Sequence, residues 1–235
     1  SVPPVRLIVV SFFVVIMIGT TLLTLPITSR SGQFTAVIDA LFTATSATCV
    51  TGLVTFDTWT HWNVFGQVVI ILLIQTGGLG VITFTTGFTL LARRKLGLRE
   101  LQLASENTSG DTMDVYQLVR TILIFTFSSE LIGAAVLALR FVPKFGAHGI
   151  WISVFTAISA FCNAGFDLLG TSSQPFVSLS RYIANPLINL VIMLLIIISG
   201  IGFLTWDDIC SHKWHIRRYR VQSKVILWTS ALLII

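Results

Sequence analysis

Two glycines carry the sharpest chemical signal in the chain. Gly52 lies in the stretch Thr48, Cys49, Val50, Thr51, Gly52, Leu53, and Gly165 in the stretch Phe161, Cys162, Asn163, Ala164, Gly165, Phe166. Each stretch follows a short apolar run. Neither holds a nucleophile with a base beside it, so the chemistry on offer is that of the backbone. Carbonyl oxygens turned inward can replace the hydration shell of a cation, and glycine allows the positive-φ geometry that such turning needs. If the preceding runs are helices, their C-terminal ends carry partial negative charge, which favours a cation over an anion. The alternative for each glycine is an ordinary loop turn.

Other chemistries find less support. Cys49, Cys162 and Cys210 are too far apart for a disulfide framework or a metal-ligand spacing. Cys210, His212 and His215 sit among basic residues with no fourth ligand. All four histidines (His61, His148, His212, His215) fall in or near loops, which leaves an intramembrane enzyme without a base or a metal cluster. No catalytic residue, no cofactor and no metal beyond a transported cation is expected.

The glycines belong to an internal repeat. Residues 42–54 align without a gap on 155–167, and 7 of 13 positions are identical: Phe, Thr, Ala, Ser, Ala, Cys and Gly. A second match sets Gly78-Leu-Gly-Val-Ile-Thr-Phe84 on Gly200-Ile-Gly-Phe-Leu-Thr-Trp206. Hydropathy alone does not select Cys, Ser, Thr and paired glycines. The repeat reads helix, short helix, loop, helix, in the same orientation twice, so it is parallel rather than inverted.

Composition fixes the solvent. Of 235 residues, 54% are apolar or aromatic and 11% are charged, against about 25% charged in a soluble domain. The mean hydropathy of +0.88 points to an all-α membrane protein. Long apolar runs at Val5–Leu25, Asn63–Ala92, Tyr116–Phe141 and Asn185–Thr205 are candidate spans, and Val225 opens another. The first, 21 residues long, would cover about 31 Å as a helix. Ala36–Ala47 and Ile150–Phe161 are too short to cross and read as re-entrant helices. Arg93, Arg94, Lys95 and Arg99 fill one loop, and Lys213, Arg217, Arg218, Arg220 and Lys224 another. Both fall on one side only if the short runs turn back. The positive-inside rule makes that side cytoplasmic, together with the N-terminus. Trp59, Trp62, Trp151, Trp206, Trp214 and Trp228 fall near expected span ends, as an interfacial belt. The net charge of +5 then reflects anchoring to anionic lipid, not a nucleic-acid partner. The chain opens on Ser1 and stops inside an apolar run, and is expected to be a piece of a longer protein.

Several further residues invite two readings. Cys49 and Cys162 occupy equivalent positions and suit small packing groups. Asp57 and Asp167 follow their stretches on the outer side, as attractors of cations at a mouth or as loop carboxylates and caps. Glu130, mid-way along an apolar run, is a costly carboxyl that braces a neighbour or meets an ion. Gly77, Gly78 and Gly80 resemble a phosphate loop only superficially, and suit close helix packing or a kink. Asn107-Thr-Ser is a glycosylation sequon in an expected cytoplasmic loop. Loops 93–115 and 207–224 are candidates for docking a regulatory partner or for lipid anchoring.

These features in combination resemble the Trk/Ktr/HKT superfamily of potassium transporters, KtrB-type (TrkH-like) membrane subunits above all. The residues that carry the resemblance are Ile38-Asp-Ala-Leu-Phe-Thr-Ala44, Val50-Thr-Gly-Leu53 with Asp57-Thr58, Gln75-Thr-Gly-Gly-Leu-Gly80, and Ala157-Ile-Ser-Ala-Phe161 with Asn163-Ala-Gly-Phe166. The resemblance implies four helix–pore-loop–helix units around one axis, with Gly52 and Gly165 and their neighbours as two quarters of a selectivity filter. This chain would supply 1–92 as the first unit, 93–115 as a cytoplasmic loop, 116–206 as the second unit, 207–224 as a basic cytoplasmic loop and 225–235 as the start of a third. The implied function is potassium uptake across the inner (plasma) membrane, often sodium-linked. The implied partners are the remaining half of the same chain, a second copy in a homodimer and a cytoplasmic nucleotide-binding regulatory subunit. Sodium-preferring relatives carry Ser at the position of Gly52, so potassium is favoured. A sodium or non-selective transporter of the same fold, a carrier of another class and a non-conducting structural subunit are the rival expectations.

Overall fold

A computed structural model describes residues 4–80, 115–202, 205–206, 208–209, 219 and 221–234. These residues form helices α1 (Pro4–Thr24), α2 (Val37–Thr48), α3 (Thr58–His61), α4 (Val64–Gly78), α5 (Val115–Phe145), α6 (Ala147–Phe161), α7 (Pro186–Gly200) and α8 (Val221–Ile234). No β-strand occurs among them, only the isolated bridges Ser29–Trp62 and Thr171–Gln174. Residues 93–114 of the basic loop with the sequon at Asn107, residues 81–92 of the run 63–92, and residues 207, 210–218 and 220 of the basic loop 207–224, with Cys210, His212, Trp214 and His215 among them, lie outside the described residues.

Local chemistry sets the helix starts. Asn63 Oδ1 accepts the Gly66 N–H at 3.0 Å and caps α4. Asp57 Oδ1 accepts the N–H groups of Trp59 and Thr60 at 3.1 and 2.8 Å and caps α3. Asn185 caps α7, with Pro186 as its first residue, a pairing that satisfies one orphan donor and removes another. α8 starts at Val221, earlier than the apolar run at Val225, because Gln222, Ser223 and Lys224 extend a helix without adding hydropathy.

The segment 36–62 leaves one turn and comes back to it. The Thr35 N–H bonds the Thr24 carbonyl at 3.3 Å on the way out. Arg30 N–H then bonds the His61 carbonyl at 2.9 Å, and Asn63 N–H the Thr28 carbonyl at 3.0 Å, on the way back. Arg30 seals this turn, its Nε donating to the Trp59 carbonyl at 2.6 Å and its guanidinium 4.4 Å from the Trp59 ring centre. The second unit is closed by side chains. Lys144, near the end of α5, donates to the Tyr182 hydroxyl at 3.1 Å, and Phe141 meets the Tyr182 ring edge-on at 5.5 Å.

Within each unit the two long helices and the short one pack together, and α4 packs on α6 to join the units. A buried polar contact crosses that seam midway along α4. Gln67, fully buried, donates to the Trp62 carbonyl at 2.9 Å and accepts the Trp151 indole N–H at 2.8 Å. Trp62 is 1% exposed, so it is a core residue rather than part of an interfacial belt. Hydropathy registers a tryptophan near a span end but not the face it occupies. Outward faces are strongly apolar, as at Val9, Val10, Phe13, Leu131, Ile132, Leu232 and Leu233, which suits lipid as solvent. Among the described residues one helix, 120–145, is long and apolar enough to cross a membrane.

Candidate functional site

The ends of α2 and α6 are built alike, bond for bond. Thr51 N–H reaches back to the Ser46 carbonyl at 2.9 Å and Val50 N–H to Ala47 at 3.3 Å. Ala164 N–H reaches the Ser159 carbonyl at 2.7 Å and Asn163 N–H reaches Ala160 at 3.1 Å. This pair of bonds is the Schellman closure, which requires a left-handed residue just beyond the helix. That residue is Val50 in the first unit, at φ 57°, and Asn163 in the second, at φ 58°. Asparagine tolerates the conformation, whereas a β-branched valine is strained in it. Strain of this kind costs about 1–3 kcal/mol and gathers at functional sites.

Two residues further on, the chain turns left-handed again, at Gly52 (φ 77°) and Gly165 (φ 73°). The two glycines face one another. A Cβ on Gly52 would lie 2.7 Å from the Ala164 carbonyl oxygen and 3.5 Å from the Gly165 Cα, and one on Gly165 would lie 3.5 Å from the Gly52 Cα. The serines at the helix ends lock the loops. Thr51 Oγ1 donates to Ser46 Oγ at 2.9 Å, and Ser159 Oγ donates to the Phe166 carbonyl at 2.6 Å.

α4 touches both helix ends. A Cβ on Gly77 would fall on the Thr48 carbonyl oxygen, and one on Gly78 on Cys162 Sγ. Gly80 is different, at φ 72°, with nothing within 4 Å of where its Cβ would stand among the described residues. Cys162 is buried and Cys49 exposed, although the repeat makes them equivalent. In the second unit the place of Gly77 is taken by Ser199, whose hydroxyl accepts Asn163 Nδ2 at 3.0 Å.

The two carboxylates have parted ways. Asp57 is buried, caps α3 with one oxygen, and with the other accepts the Phe176 N–H at 2.9 Å from the second unit's loop. Gly170 passes so close to this carboxylate that a side chain there would overlap it. Asp167, in the loop after Phe166, accepts the Leu169 N–H at 2.9 Å. It lines a recess of about 240 Å³ together with Thr156, Asn163 and Gly165. Burial pushes its carboxyl above the ordinary range, and the Asp57 charge adds to this. The Leu169 N–H and Ser178 hydroxyl oppose the shift. Glu130, 4% exposed, accepts Gln75 Nε2 at 3.0 Å.

The family described as TrkH, cation transport protein, matches residues 4–231. The chain belongs to the TrkH family. Among curated relatives it is 45% identical to the potassium/sodium uptake protein NtpJ of Enterococcus hirae over 234 residues, covering 99% of this chain and 50% of the relative. It is 40% identical to the Ktr system potassium uptake protein B of Bacillus subtilis over 232 residues, 98% of this chain and 50% of that one. With the protein of the same description from Vibrio alginolyticus the identity is 36% over 234 residues, at 98% and 50% coverage. The chain spans about half the length of the curated relatives it matches. The resemblance carried by the repeat and its glycines is thus borne out at the level of the family, an integral membrane one of transport proteins.

Gln67 and Ser199 carry no signal in the sequence, and Gln75 only a place in the motif 75–80. Gln75 meets Glu130 across 55 residues of sequence, a separation that leaves no local signature. The Ser46 and Ser159 locks were visible only as identities within the repeat.

Proposed function

We propose that this TrkH-family chain forms two units of a pathway for potassium uptake across the plasma membrane, with 48–53 and 161–166 as two quarters of its selectivity filter. The carrying observation is the pair of apposed positive-φ glycines, each two residues beyond a helix end closed by the same bonds. Dehydration of the ion is offset by backbone carbonyls held in place by those closures, and no covalent chemistry is involved. α2 and α6 act as pore helices that enter and leave on the outer side. The N-terminus and the basic loops face the cytoplasm, and further units of the same kind complete the ring. A homodimer and a cytoplasmic nucleotide-binding regulatory subunit are the proposed assembly. The name of the Enterococcus relative supports a second reading in which sodium accompanies or replaces potassium.

Rubidium uptake into liposomes holding the full-length transporter tests this reading. Excess potassium is expected to block uptake and excess sodium to leave most of it. Flux indifferent to both ions would overturn the assignment.

Asp167 gives uptake a pH signature. A raised carboxyl pKa means that, as the outer side is acidified, the group takes up its proton above the ordinary value of about 3.9. Its attraction for cations then disappears as external pH falls. Wild-type uptake is expected to decline on the acid side, and Asp167→Asn to be lower at neutral pH and flat across the same range. An acid decline that persists in Asp167→Asn would assign the titration to another group.

A further inference from the structure

The side chain of Gln75 connects three helices at the level of the filter ends. Its Nε2 donates to Glu130 Oε1 of α5 at 3.0 Å. Its Oε1 accepts the Cys162 thiol at 3.8 Å, a sulfur contact. Cys162 is the residue on which α6 ends, one step before the left-handed Asn163 and three before Gly165. Two positions along α4, Gly77 and Gly78 leave no room between that helix and the two filter ends. Thus a glutamine of the first unit is held by a buried carboxyl of the second and bears on the base of the second filter stretch.

We infer that Gln75 is a positioning residue for ion selection, with Glu130 as its anchor, and that the hydrogen bond rather than the charge of Glu130 does this work. A neutral acceptor at 130 serves as well as a carboxylate, so no ion need contact Glu130. The inference deepens the filter reading of residues 161–166 and rests on it. Selection among cations of similar size depends on where the carbonyls stand and how firmly they are held there. A support that reaches the helix end from two sides therefore acts on discrimination more than on the existence of a pathway.

Exchange of the two side chains separates this role from simple packing. With Gln75→Glu and Glu130→Gln together, the amide donates from position 130 and the carboxylate at 75 still accepts from Cys162. Gln75→Glu alone places two buried carboxyls side by side, a pair that keeps its contact by sharing a proton, and Gln75→Leu removes both contacts. Glu130→Gln alone keeps an acceptor for Gln75.

The experiment uses full-length transporter in liposomes, with its native cysteines kept and the modified one located by peptide mapping, and two readouts. The first is the potassium-over-sodium ratio in competition against rubidium uptake. The second is the rate at which a membrane-permeant maleimide labels Cys162. Gln75→Leu is expected to lower the ratio by about tenfold, the effect of one lost buried hydrogen bond, and to speed labelling. Glu130→Gln and the exchanged pair are expected to keep both close to wild type. Labelling unchanged in Gln75→Leu, or faster labelling with an unchanged ratio, would overturn the inference. So would a Glu130→Gln protein as impaired as Gln75→Leu, since the charge would then be what matters. If the wild type itself shows no preference between the ions, the filter reading fails, and with it the selective role of Gln75. Labelling then decides only whether the bridge holds Cys162.

Discussion

Gly52→Ala is expected to abolish selective uptake while leaving the protein in the membrane. Two costs add at this position. A non-glycine residue at φ 77° is disfavoured by about 1–2 kcal/mol. The new Cβ would also stand 2.7 Å from the Ala164 carbonyl oxygen, an approach that real Cβ atoms do not make. That oxygen belongs to backbone pinned by the Ala164–Ser159 bond, so it cannot swing aside as a side-chain tip would. The facing stretch must move, and with it the carbonyls proposed to hold the ion. Gly165→Ala makes a useful contrast. Its φ of 73° carries the same backbone cost, but among the described residues its Cβ would meet only the Gly52 Cα, at an ordinary 3.5 Å. Gly165→Ala should therefore keep a measurable share of potassium-blocked rubidium uptake, and Gly52→Ala none. Equal loss in both, or the reverse order, would remove the steric account.

How much of this was legible beforehand depended on the kind of signal. The short helices could be read from run length and charge placement, and α2 and α6 lie within a few residues of the runs 36–47 and 150–161. The glycines could be read from the repeat, because equal position in two copies is a constraint that hydropathy does not supply. What could not be read was anything that joins distant positions through side chains. Asp57 was open between a mouth charge and a cap. Its three N–H partners, one of them at Phe176, could not be foreseen from its neighbours. Nor does the repeat fix the fate of its own equivalents. Cys49 is exposed and Cys162 buried, because α4 lays Gly78 over the second and not the first. Val50 is the clearest miss. No propensity places a β-branched residue at positive φ, and only the closure bonds beneath it show why it is held there.

The two glycines of α4 should fail in different ways, and the difference tests how the units meet. A Cβ on Gly77 would lie on the Thr48 carbonyl oxygen, with the Thr48 carbon at 2.8 Å and Val50 Cγ2 at 3.0 Å. Only the last of these is a side chain, so no truncation opens the space. A Cβ on Gly78 would collide instead with Cys162 Sγ and lie 2.6 Å from its Cβ, while the Cys162 Cα stands at 3.3 Å. Here the obstacle is a side chain of the other unit, and removing it leaves a contact that small shifts can absorb. One methyl forced into a packed interior costs about 1–3 kcal/mol, so both single alanines should lower the unfolding midpoint in detergent and reduce uptake. The pairs should then diverge. Cys162→Gly is expected to recover much of the stability lost in Gly78→Ala, whereas Val50→Ala recovers little in Gly77→Ala. In a double-mutant cycle the coupling between 78 and 162 should exceed about 0.5 kcal/mol, the threshold for residues in contact. Coupling within error of zero would mean that α4 does not meet the end of α6 where the structure puts it. The joint between the two units, and the support it lends to both proposed filter stretches, would then have to lie elsewhere.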